Sequence, residues 1–149
     1  MPVGLLPVLN PSLNANNLQP GTGIKIVQGP FHVQVVKHAG RMDLFARDLY
    51  VMSLRVAFPE GNLLPRGEYQ ISQETKLQVG AGAGMRMWIG FHGVEAATAE
   101  VASGWLFGSA GPRGNTTRDL ATGMQLSDED MRVLYLTVVE GRSRVRVEP

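Results

Sequence analysis

Leu134-Tyr135-Leu136-Thr137-Val138-Val139-Glu140-Gly141-Arg142-Ser143-Arg144-Val145-Arg146-Val147 is the stretch of this 149-residue chain that speaks most directly about fold. With Glu140-Gly141 in a two-residue turn, the pattern predicts a β-hairpin. Leu134, Leu136 and Val138 then share an apolar face with Ser143, Val145 and Val147. Tyr135, Thr137 and Val139 oppose Arg142, Arg144 and Arg146 on a largely polar face. A one-residue slip would carry arginines into the apolar set, so the register is self-consistent.

The same period of two recurs upstream. Phe31, Val33 and Val35 alternate with His32 and Gln34. Tyr50, Met52, Leu54, Val56 and Phe58 fall on one face of a long strand, opposite Val51, Ser53, Arg55 and Ala57. Leu64-Pro65-Arg66-Gly67-Glu68-Tyr69-Gln70-Ile71 reads as a tight turn feeding a strand, because proline presets one turn position and glycine accepts another. Residues 75–79 form a further short strand. After Gly80, Gly82 and Gly84, Met85, Met87, Ile89 and Phe91 face one way while Arg86, Trp88 and Gly90 face the other. Residues 42–49 and 94–101 fit a helical turn or a strand equally, and 108–123 is a turn-rich surface loop. Eighteen glycines and nine prolines supply the many turns such a chain needs. The expected class is all-β, an antiparallel β-sandwich or a jelly-roll-like barrel.

Residues 1–23 stand apart as an extended N-terminal arm, leading into a single β domain over 24–149. The arm carries no charged side chain, and its prolines argue against helix. It holds Leu5, Leu6, Val8, Leu9, Leu13 and Leu18, which it cannot bury by itself. Either it lies over its own domain or it docks on a neighbouring subunit.

Net charge is +1, which gives no reason to expect nucleic acid or an anionic membrane as partner. The absence of cysteine excludes disulfides, thiolate nucleophiles and cysteine-held metals. The apolar start lacks a basic region and is broken by Pro2, Pro7 and Pro11, so it makes a poor secretory signal. No apolar run approaches the roughly 20 residues of a membrane-spanning helix.

Motifs with chemistry are scarce. His32, His38 and His92, with Asp43 and Asp48, lack metal-ligand spacing, and unrelated surface histidines are the simpler reading. Ser127-Asp128-Glu129-Asp130 lacks the calcium-loop frame and suits a turn or a helix cap. Gly80-Ala81-Gly82-Ala83-Gly84 fails the phosphate-loop pattern, and neither G-x-S-x-G nor H-E-x-x-H occurs. No catalytic residue, metal or cofactor is assigned. Arg142, Arg144 and Arg146 form a row on one face that could clamp phosphates or carboxylates. Trp88, opposite the Met85–Met87–Ile89 face, is expected at an exposed or interface position; with Trp105 it could offer a sugar-stacking platform.

The function expected from these features is a non-enzymatic assembly subunit, such as a virion capsid, decoration or tail component. It would meet neighbouring protein subunits through the arm, Trp88 and the arginine row, as a homo-oligomer or larger assembly. The alternative is a carbohydrate- or ligand-binding sandwich.

Overall fold

Alternation sets the first strand as expected. Phe31–Val36 (β1) buries Phe31, Val33 and Val35 and leaves His32, Gln34 and Val36 half-exposed on the opposite face. A computed structural model of the chain describes residues 3–14, 16–59, 62, 64–79, 86–95, 104–108 and 122–149. Arg41–Ala46 (β2) and Leu49–Arg55 (β3) follow, then Gly67–Ile71 (β4), Leu77–Val79 (β5), Arg86–Gly93 (β6), Gly104–Phe107 (β7), Gly123–Gln125 (β8) and Arg144–Glu148 (β9).

These strands form one sheet in the order β3-β2-β1-β9-β4-β6-β7-β8, with β5 also paired to β6. Two neighbouring pairs, β1 with β9 and β7 with β8, run parallel; the rest run antiparallel. The sheet curls into a half-barrel, so far that Ala57, just past β3, exchanges two backbone hydrogen bonds of 2.8 Å with Gln125 of β8. The predominantly β character read from the sequence holds. The strands join a single curled sheet in place of two face-packed ones.

Residues 42–49 resolve as strand, turn, strand. Arg47 sits at the turn in the left-handed region, with φ of 56°, and its N–H donates to the Pro30 carbonyl at 2.8 Å. The expected faces of β3 change partway. Leu44 opposes Met52 but Phe45 opposes Tyr50, so Val51 is an extra residue in the ladder. That bulge turns Val51 into the core at 6 % exposure and pushes Tyr50 out.

The predicted C-terminal hairpin is the largest departure. Its first limb is helical: Asp128–Thr137 (α2). Ser127 caps it, its hydroxyl accepting from the Asp130 N–H at 3.1 Å, and Asp128, Glu129 and Asp130 place negative charge at the positive end of the helix. Met131, Leu134 and Val138 recur at helical spacing and are fully buried. At the other end the Lys76 ammonium donates to the Val138 carbonyl at 2.8 Å and lies 4.8 Å from the Tyr135 ring centre. The second limb is a strand as expected, yet its edges are taken by β1 and β4, which leaves α2 to pack on β6.

The arm also folds back. Val3–Leu5 is a 3-10 turn continuing into Leu6–Leu9 (α1), where Pro7 is tolerated because the first helical turn needs no N–H from it. Leu5 is fully buried in the chain's own core and Leu9 packs against it. A Cβ on Gly4 would come within 2.6 Å of the Leu136 side chain, so the turn lies directly on α2. Asn10 fastens the arm by accepting from the Lys25 N–H at 2.7 Å and donating to the Lys25 carbonyl at 3.0 Å.

The core lies on the inner side of the curl. Tyr69 and Phe91 meet there edge to face, ring centres 5.2 Å apart. Burial pushes the Tyr69 phenol up to about 12, and its hydroxyl donates to the Pro65 carbonyl at 2.7 Å. Gly104 leaves room for the Phe91 ring, which a Cβ there would overlap. Gly104→Ala is therefore expected to lower unfolding free energy by about 1–3 kcal/mol in a urea titration.

Candidate anion-binding cleft

The outer face of β1, β2, β4 and β9 carries the polar residues that alternation left over. Four elements converge there on a cleft of about 420 Å³ lined by His32 and Gln34 of β1, Phe45 and the Arg47-Asp48 turn, Glu68 of β4, and Arg144 and Arg146 of β9. The ladder explains the convergence. Gln34 stands opposite Arg146 across the parallel pair, and Arg146 stands opposite Glu68 across the antiparallel one.

Charge in the cleft is unevenly matched. Arg146 Nε donates to Glu68 Oε1 at 2.6 Å and lies 3.7 Å from Glu148. Among the described residues, neither Arg47 nor Arg144 has an ion-pair partner. Three guanidinium groups thus share the cleft with two carboxylates, and two of the three keep their planar donor forks available.

His32 fixes the back of the cleft. Its Nδ1 accepts the Arg144 backbone N–H at 3.0 Å, which places its ring proton on Nε2 in the neutral form. Burial holds its pKa below the ordinary value of 6.5 and the Arg144 charge adds to this, while Glu68 and Asp48 oppose it. Below 6.5 the unfolded chain takes up a proton at this residue before the folded one does. Stability present at neutral pH is therefore expected to fall as pH drops below 6.5, and His32→Gln should flatten that part of the profile. Urea midpoints measured down the pH scale would check both.

The residues singled out from sequence go to different places. Arg144 and Arg146 share the cleft as the row implied, but Arg142 does not. It precedes β9 and borders a separate hollow with Pro30, Leu136 and Val139. Leu5 is fully buried and Trp88 is 5 % exposed, so neither is available to a partner. Trp88 was expected outside because it alternates with Met87 and Ile89. Instead it is flanked by Leu77 of β5 and Phe107 of β7, on a face that is itself covered. The Nε1 groups of Trp88 and Trp105 find no hydrogen-bond partner among the described residues. Leu6 and Leu13 are half-buried, while Val8 at 37 % and Leu18 at 49 % stay exposed. The histidines are dispersed: His38 Nδ1 meets the Pro149 carbonyl, and His92 Nδ1 meets Ser72 Oγ at 2.8 Å. Asp43 is held by Arg41 and Ser53. No three such side chains gather as metal ligands among the described residues. The Gly80–Gly84 run, most of 94–101 and most of the 108–123 loop lie outside the described residues.

Sequence reasoning missed His32, Arg47 and Glu68 as cleft residues. The one available signal was period: His32, Glu68, Arg144 and Arg146 all occupy outward positions of alternating strands.

No protein-family model and no curated protein matches the sequence. Solved structures do match. Bdellovibrio bacteriovorus Bd1075 superposes with a TM-score of 0.57 at 11% identity, over 81% of this chain and 48% of that one. Mycobacterium tuberculosis L,D-transpeptidase 1 gives 0.51 at 8% identity, over 78% and 60%. An Enterococcus faecium L,D-transpeptidase carrying a cysteine-to-serine substitution gives 0.50 at 15% identity, over 87% and 54%. The fold is L,D-transpeptidase-like. The chain spans about half the length of these structures. This likeness overturns the expected assembly role: two of these three structures are L,D-transpeptidases, not capsid, decoration or tail proteins. Trp88, one of the two aromatics a sugar-stacking platform would draw on, is buried. Among the described residues no helix is long and apolar enough to cross a membrane.

Proposed function

We propose that this chain is a non-catalytic binding module of the bacterial cell wall. It keeps an L,D-transpeptidase-like scaffold and uses the arginine-lined cleft to hold carboxylate groups of wall peptides. The observation that carries this reading is the pairing of Arg47 and Arg144, both without an ion-pair partner among the described residues, over a neutral His32. Guanidinium groups with free donor forks are suited to carboxylates. The peptide character of the ligand is taken from the transpeptidase neighbours.

The non-catalytic part rests on the residue inventory. With no cysteine in the sequence, thiolate chemistry is closed to this chain. Ser72 and His92 do form a hydroxyl–imidazole pair, but no carboxylate orients the ring among the described residues, as activation of a serine requires. The pair joins the end of β4 to β6.

Co-sedimentation with purified bacterial sacculi tests the proposal. The chain should pellet with the wall at low salt and be released as salt rises, because exposed charge contacts are screened. Fragment analysis of the treated wall should show no new cross-link or cleavage. Failure to pellet at low salt, or turnover of wall peptides, would overturn it.

A further inference from the structure

A second hollow adjoins the arginine cleft at the β2–β3 turn. Ile26, Val27, Ala46 and Leu49 line it, together with Gln28, and Arg47 and Asp48 belong to both hollows. Its walls include two of the most exposed apolar side chains of the described residues, Ile26 at 63 % and Leu49 at 62 %. Apolar surface left open beside uncompensated cations is an unusual pairing on a small domain, and patches of this kind commonly mark binding surfaces.

The turn between the hollows carries a second clue. Arg47 holds a φ of 56°, a conformation that glycine adopts freely and that disfavours other residues. Folding alone would be served at least as well by glycine there. An arginine kept in that position puts a guanidinium at the junction of the cationic and apolar hollows.

We infer that the two hollows form one amphipathic site for the end of a peptide chain. The occupant is a peptide with a free C-terminal carboxylate and an apolar terminal side chain. Arg47 and Arg144 take the carboxylate, and Ile26 and Leu49 take the side chain. Arg146 contributes less, since Glu68 already holds it. This inference rests on the proposed peptide-binding role and narrows it to a ligand class.

Titrating the full chain with three N-acetylated tripeptides, followed calorimetrically, separates the two claims. One ends in leucine with a free carboxylate, one in leucine amide, and one in serine with a free carboxylate. The leucine acid should bind best, and the amide should lose about tenfold or more with its charge-assisted bonds. The serine acid should bind about three- to tenfold more weakly than the leucine acid, the scale of about one or two buried methylenes. Leu49→Ser should abolish the preference for leucine over serine while leaving the preference for acid over amide. Arg47→Gly should weaken binding of both acids without lowering the thermal midpoint, which a purely structural role for Arg47 would not produce. Equal binding of the two acids by the unaltered chain would overturn the amphipathic site and leave the carboxylate cleft standing. If neither acid binds, both the inference and the function beneath it fall.

Discussion

Leu5→Ala is expected to lower the free energy of unfolding by about 2–5 kcal/mol, although it belongs to the segment that the sequence suggests is an arm. Residues of an undocked arm tolerate such changes, because few contacts depend on them. Leu5 differs because it is wholly buried in the same core as Met131 and Leu134 of α2, and Gly4 beside it lies against Leu136. Truncation would forfeit the transfer energy of the deleted apolar atoms and leave a space that α2, packed on β6, closes poorly. Leu18, 49 % exposed in the same arm, gives the contrast: Leu18→Ala should stay within about 0.5 kcal/mol of the parent. Urea unfolding followed by tryptophan fluorescence would measure both. A parent-like midpoint for Leu5→Ala would mean that the first turn does not pack on α2 in solution.

How much of this was legible in the sequence depends on whether one physical rule or two acted on each segment. Around Phe31, Val33 and Val35 only alternation spoke, and the strand is there with the expected faces. From residue 134 to 138 two rules competed. Leu134, Leu136 and Val138 fit a strand, while Met131, Leu134 and Val138 fit a helix. What decided between them was partly local and partly distant. Ser127 supplied a cap that the sequence did suggest, whereas β9 found both its neighbours in β1 and β4, far away in the chain. Pairing with partners so distant in the chain, Val145 with Val33 and with Tyr69, leaves no trace in a short window. The Val51 bulge escaped for a related reason, since an unpaired extra residue is defined by its partner strand. The cleft was half visible. Arg144 and Arg146 were readable as a row, but only the strand order brings His32, Arg47 and Glu68 to them.

The splitting of that row gives the second large effect. Sequence placed Arg142, Arg144 and Arg146 as equals, and the structure makes them unequal in three ways. Arg144 lines the cleft with no ion-pair partner among the described residues, Arg146 lines it but is held by Glu68 at 2.6 Å, and Arg142 borders another hollow. A charge-assisted bond to a carboxylate contributes about 1.5–3 kcal/mol, so Arg144→Ala should weaken binding of an acidic peptide about 10- to 100-fold. Arg144→Glu should weaken it further, because it turns attraction into repulsion within the same cleft. Arg146→Ala should do less than Arg144→Ala, since it removes a cation already largely satisfied by Glu68. Arg142→Glu changes the net charge as much as Arg144→Glu does, yet should shift affinity far less, because Arg142 is exposed, borders a different hollow, and acts only through a field that salt weakens. The contrast between those two charge reversals is the decisive measurement. Equal losses would mean that the chain attracts acidic ligands through its overall field, and the cleft would lose its claim to be a site.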